Sequence, residues 1–163
     1  MSAKPVDSFE FCRRGEQASG TAPVAGFARL TAELANTSGE LRWSVAGGQH
    51  ATGLPQLSMT VQGEVQLLCQ RCLTAFAHPV DSDTVLVLAR NEAEADATEE
   101  RLDDESIDVI VGSDALDLMV LVEDDALLAL PLSAKHAVCP GDVPKASEDK
   151  LASPFAALGK LKS

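Results

Sequence analysis

Asp114-Ala-Leu-Asp117-Leu-Met-Val-Leu-Val-Glu123-Asp-Asp-Ala-Leu-Leu-Ala-Leu130-Pro131, continued by Leu-Ser-Ala-Lys-His136-Ala-Val-Cys139, is the most apolar segment of the chain and is also dense in acids. Its spacing predicts a helix over 114–130. Asp114 is placed to cap the start, because its carboxylate can accept orphan N–H groups of the first turn. Pro131 stops the helix, since it lacks an N–H and disfavours the α conformation at Leu130. On a wheel of about 100° per residue, Leu116, Met119, Val120, Val122, Ala126, Leu127 and Leu130 form one apolar arc. Asp114, Asp117, Asp124 and Asp125 form the opposite one. Glu123 falls inside the apolar arc, and Leu121 and Leu128 fall among the acids.

Working outward, the segments before this helix read as strands. Leu41, Trp43 and Val45 alternate within Glu40–Ala46, a strand that Gly47-Gly48 is expected to stop. Pro55 to Gln70 alternates through Leu57, Met59, Val61, Val65 and Leu67, with Gly63 marking a bulge or bend. Phe76 to Ala89 alternates again, so Cys69-Gln-Arg-Cys72 sits at the tip of an antiparallel hairpin. Ile107 to Val111 is a short strand leading into the helix. Phe27 to Ala35 reads as a short helix. Residues 1–26, rich in Ser, Gly, Ala and Pro, read as a flexible arm with one short strand at Ser8–Cys12. Residues 91–106 carry eight acids and one Arg and read as a solvated loop. Residues 140–163 read as a polar linker and a short helix opened by Ser153-Pro154, with Phe155, Leu158 and Leu161 on one side and Lys160 and Lys162 near its end. The expected architecture is α+β: a single domain over 27–139, an antiparallel sheet of four to six strands packed by the 114–130 helix.

Composition narrows the function. No apolar run reaches the ~18–20 residues of a membrane span, and the N-terminus lacks a signal-peptide core, which points to a cytoplasmic protein with no membrane partner. The net charge of −12 is uneven: residues 91–163 hold seventeen Asp/Glu and six Lys/Arg, whereas residues 1–90 hold eight and seven. Such an acidic half repels phosphate backbones and suits a basic partner; the alternative is that acidity only maintains solubility. P-loop, G-x-S-x-G and H-E-x-x-H motifs are absent, and no catalytic residue is assigned.

Three constellations stand out. Cys69-x-x-Cys72 and His136-x-x-Cys139 together supply three thiolates and an imidazole, a donor set for structural Zn2+. A redox pair, or four residues with no shared metal, are the alternatives, and Cys12 has no near partner. Glu123 in an apolar arc requires a counter-charge or the helix rim; Arg71 is the partner expected, because its fork matches a carboxylate. Leu121 and Leu128 among Asp117, Asp124 and Asp125 form either a partner-binding strip or a ridge covered by another part of the chain.

Cys69-Gln-Arg-Cys72-Leu followed by Phe76, then Asp117-Leu-x-x-x-Val122-Glu123-Asp124-x-x-Leu-Leu-Ala-Leu130-Pro131, then His136 and Cys139, then Ser153-Pro-Phe155-Ala-Ala-Leu158, resembles the YceD family, the large ribosomal RNA subunit accumulation proteins. The match runs in order from about Val61 to the C-terminus. The resemblance implies a role in synthesis, processing or stability of 23S rRNA; no enzymatic activity is established for the family. Genes of the family often neighbour one for a small basic large-subunit ribosomal protein. Not every member keeps every cysteine, so the resemblance leaves the zinc question open. The expected function is therefore a cytoplasmic ribosome-biogenesis factor whose acidic half holds a basic large-subunit ribosomal protein or the pre-ribosomal particle, with rRNA contacted indirectly. One rival is direct RNA binding through Arg13, Arg14, Arg29, Arg42, Arg71 and Arg90. The other is a zinc or thiol enzyme built on the Cys/His set.

Overall fold

Residues 4–141 are described by a computed structural model. The alternation read from the sequence builds an antiparallel meander of β1 (Gln17–Pro23), β2 (Glu40–Gln49), β3 (Pro55–Leu68) and β4 (Ala75–Ala89), and β5 (Ile107–Val111) joins the far edge. The class is α+β. The sheet has five strands, but it is mixed rather than wholly antiparallel, because β5 runs parallel to β4. Parallel neighbours cannot be joined by a tight turn and need a crossover. That crossover is α3 (Glu92–Leu102), in the stretch expected to be a solvated loop. Asn91 caps α3 by accepting the Glu94 N–H, and Ala95 and Thr98 bury one face while the acids stay outside.

The register sets which side chains meet. Leu41 faces Gly63, Trp43 faces Val61 and Val45 faces Met59 across β2 and β3; Met59 faces Thr84 and Leu57 faces Leu86 across β3 and β4. Leu41, Val45, Leu57, Met59, Val61, Val65, Leu67 and Leu86 are all buried on that one face. The pairing runs without interruption through Gly63, so there is no bulge. A Cβ on Gly63 would lie 2.4 Å from the Glu40 carbonyl oxygen, so close backbone approach is why a glycine stands there.

The N-terminal stretch differs most from expectation. Residues 8–23 are not a flexible arm, and Ser8–Cys12 is not a strand: α1 (Ser8–Arg14) and β1 occupy them. Asp7 accepts the Glu10 N–H and Gly15 ends the helix at φ 61°. Asp7 with Glu10 three residues on is a capping-box spacing, a signal present in the sequence. Phe11 and Cys12 are buried, and α1 packs on β2. Gly47 does not stop β2; it leaves room for α1, since a Cβ there would fall 2.4 Å from the Phe11 carbonyl oxygen.

The 3-10 turn at Val24–Gly26, the short helix α2 (Ala28–Ala32) and α4 (Leu118–Leu128) complete the cover of the core. The cap of α4 is Asp117, whose carboxylate accepts the Met119 N–H, and not Asp114. Residues 113–116 are drawn away from the helix: Ser8 bonds the Ser113 carbonyl, and Val6 and Leu116 form a two-way backbone bridge at 2.9 and 2.8 Å. The expected C-terminal helix lies outside the described residues. Among these, no helix is long and apolar enough to cross a membrane.

Candidate metal centre

Cys69 closes β3 and Cys72 lies in the turn before β4. The Cys69 N–H bonds the Thr74 carbonyl at 3.0 Å and the Leu73 N–H bonds the Cys69 carbonyl at 2.9 Å, which folds the four residues into a tight loop. Leu73 takes a left-handed φ of 58°, which a β-carbon disfavours and which the loop imposes. Past Pro131 the chain runs back across this tip, and the Gln70 N–H bonds the Ala134 carbonyl at 2.8 Å.

That crossing brings all four expected ligands together. One donor atom from each of Cys69, Cys72, His136 and Cys139 lies within 4.8 Å of the others. The Cys69 and Cys139 sulfurs are 3.8 Å apart, and the Cys72 sulfur is 3.3 Å from His136 Nδ1. The cysteines are unbridged, and Cys69 and Cys139 are buried. Burial pushes the Cys69 thiol up, but the backbone N–H groups of Cys72, His136 and Arg71 and the His136 side chain outweigh it and lower it to about 5. Burial and the neighbouring Cys69 and Cys72 push Cys139 up to about 11. The His136 ring rests against Phe76, centroids 4.7 Å apart. Three sulfurs and an imidazole converging from two loops can hold a metal ion, and every position is supplied by protein. Cys12 lies apart and donates to the Gln56 carbonyl.

A second convergence is built on Glu123, which is 9% exposed. Its partner is Arg29, not Arg71. One carboxylate oxygen accepts the backbone N–H of Arg29 at 2.7 Å and of Leu30 at 3.1 Å, and the other accepts Arg29 Nε at 3.1 Å. The Arg29 guanidinium also reaches Asp124 at 2.6 Å. Burial raises the Glu123 carboxyl, yet these donors outweigh it and hold it below its ordinary value of 4.5. The carboxylate thus takes the two N–H groups at the start of α2, ahead of any intrahelical partner. Arg71 is exposed at the hairpin tip, where the backbone sends it to the cluster end instead.

A family model described as "Large ribosomal RNA subunit accumulation protein YceD" matches residues 57–162. The chain belongs to the YceD family. No curated protein and no solved structure matches it. Membership carries a role in large-subunit ribosomal RNA accumulation. The YceD match spans β3, the hairpin tip, α4 and all four Cys/His residues, and it begins after α1, β1 and β2.

Within this YceD-family fold the partner-binding strip expected on α4 is dispersed. Asp117 caps the helix and Asp124 holds Arg29. Asp125, expected on the solvent face, is 5% exposed and accepts the Thr84 hydroxyl at 2.7 Å, leaving Oδ2 without a partner among the described residues. Leu121 packs partly against the core, and Leu128 stays 81% exposed. The helix is rotated so that Leu118, Val122, Asp125 and Ala126 face inward, and Val120, expected inside, is 46% exposed. Arg29 was expected only among the RNA-binding candidates, not as the partner of Glu123, since nothing local in the sequence links positions 94 residues apart.

Proposed function

We propose that the protein is a non-enzymatic ribosome-biogenesis factor of the cytosol that supports 23S rRNA accumulation by holding a basic large-subunit component. The family match carries this reading. The distribution of charge supports its mode of action. The acids of α3 and the following loop, among them Glu92, Asp96, Glu99, Glu100 and Glu105, are exposed, and Arg101 is the one base among residues 91–108. A surface of one sign attracts and orients a basic partner and does so less at high salt. In this reading the Cys/His cluster is a structural centre for Zn2+, closed to substrate because protein fills its four positions.

The test is an affinity pull-down from cell extract, with mass spectrometry and RNA sequencing of one eluate. The bait is the wild type or a variant with Glu92, Glu99 and Glu100 changed to Gln and Asp96 to Asn. Basic large-subunit ribosomal proteins enriched by the wild type and lost with the variant support the reading; an unchanged eluate overturns the acidic-surface mode. Direct RNA binding is the second reading, favoured by one observation: Arg13, Arg14 and Arg90 line a cleft of about 600 Å3 with Phe9, Cys12 and Gln49. Glu10 engages both Arg13 and Arg14, and Glu16 also engages Arg14, which weakens that reading. RNA retained after ribosomal proteins are stripped from the eluate would favour it.

A further inference from the structure

The chain after α4 is held in place with little packing to explain it. Leu132 is fully exposed and Val138 is 75% exposed, and Pro131, Ser133, Lys135 and Ala137 also face solvent. A groove of about 410 Å3 separates this tail from the end of α4, lined by Leu67, Leu68, Leu127, Leu130 and Leu132. One backbone hydrogen bond, Gln70 to Ala134, ties the tail to the hairpin tip. Further contacts are the packing of Ala134 against the core, the Phe76–His136 ring pair, the His136 N–H to Cys69 sulfur at 3.5 Å, and the cluster itself. Apart from Ala134, the tail's apolar side chains, Pro131, Leu132, Ala137 and Val138, are exposed while its ligand atoms converge inward.

Thiol contacts are poor substitutes for packing, because S–H is a weak donor and sulfur a weak acceptor. Their spacing has a better explanation. A tetrahedral Zn2+ with Zn–S bonds of about 2.3 Å places two sulfurs about 3.8 Å apart, and a sulfur and an imidazole nitrogen about 3.5 Å apart. Two of the six pairs match, at 3.8 Å for Cys69–Cys139 and 3.3 Å for Cys72–His136, and all six lie within 4.8 Å. A disulfide would need sulfurs about 2.05 Å apart. Soft thiolates with one imidazole suit Zn2+ over Mg2+ or Ca2+, which take oxygen.

Taking the cluster as the structural centre described above, we propose that one Zn2+ bound by Cys69, Cys72, His136 and Cys139 is the clamp that holds residues 131–139 across the tip of the β3–β4 hairpin. With the ion bound, the tail is docked and the groove beside α4 has its outer wall. Without it, the tail leaves and Leu67, Leu127 and Leu130 lose that wall. The sheet and α4 stay folded, since the main hydrophobic cluster between them includes none of the four ligands.

The experiment uses the full chain produced in zinc-supplemented medium, with metal content by mass spectrometry and amide hydrogen exchange read residue by residue. The Gln70 N–H reports tail docking directly, because its acceptor is Ala134. The expected result is about one Zn2+ per chain, and, after removal with a chelator, exchange at Gln70 faster by roughly 1,000-fold, with the amides of β2 and β3 still protected. Cys139→Ala should lose the ion, Cys139→His should keep it, and Cys12→Ser should keep it in full. No bound metal, or iron in its place, overturns the zinc assignment and the structural-centre reading with it. One Zn2+ per chain with unchanged Gln70 exchange on removal overturns the clamp alone. Neither result touches the role in rRNA accumulation.

Discussion

Two junctions fasten distant parts of this chain, and they differ in what completes them. Glu123 and Arg29 are 94 residues apart, and His136 and Cys69 are 67 apart. The first is complete within the protein: a buried carboxylate receives two backbone N–H groups and a guanidinium, so charge and hydrogen bonds are both answered. The second is built around four electron-pair donors. Four ligand atoms meet, three sulfurs and an imidazole nitrogen, and one sulfur is drawn toward its thiolate form by three backbone N–H groups. A junction of the first kind contributes stability unaided; under the clamp proposal, one of the second kind depends on an ion.

The largest effect should come from breaking the second junction. Cys139→Ala, or chelation of the wild type, should remove the metal and lower the unfolding free energy by about 4 kcal/mol, the contribution of an ion present at a thousand times its dissociation constant. Chemical denaturation with and without added Zn2+ checks it; equal curves would mean that the second junction also stands unaided.

Glu123→Ala should follow, at about 3 kcal/mol, because the buried N–H of Leu30 and that of Arg29 lose their acceptor and the guanidinium its main partner. In a thermal scan this is a fall of roughly 6–12 °C, and added Zn2+ should not restore it. Glu123→Gln keeps an acceptor but not the charge and should cost about 1–2 kcal/mol at neutral pH. That difference has a definite pH dependence. The folded carboxyl titrates below 4.5, so its contribution is complete above that value and is lost as pH falls through the lower folded one. Stability of wild type and Glu123→Gln should therefore converge in acid; a constant gap would mean that the charge is not what Arg29 binds.

Smaller effects belong to the rim. Asp124→Asn should cost no more than about 0.5–1 kcal/mol, since both partners in that pair are about half exposed. Leu128→Ser should change stability by less than about 0.5 kcal/mol, as Leu128 is 81% exposed.

The legible parts of the molecule share one property: their signals are short-range. Period-two alternation located β2, β3 and β4, a short apolar run located β5, and two residue pairs spaced for one metal identified the four residues that converge. The misread parts depended on what lies across the fold. The acids of 92–105 suggested a loop, yet two inward positions, Ala95 and Thr98, sufficed for a helix once a parallel crossover was required. Arg71 suited Glu123 by chemistry, but hairpin tip and mid-helix are brought to different places. Asp7 and Glu10 did carry a local helix signal, obscured by the surrounding Ser, Gly and Ala.

By itself the sequence determined the strands, the existence of a helix ending before Pro131 and the donor set at Cys69, Cys72, His136 and Cys139. Tertiary structure decided which face of that helix turned inward, which arginine met Glu123 and where the tail crossed the hairpin. The physical reason is distance: periodicity, caps and ligand spacing act over a few residues, whereas partner choice follows from strand register and helix docking, which the chain settles only on folding.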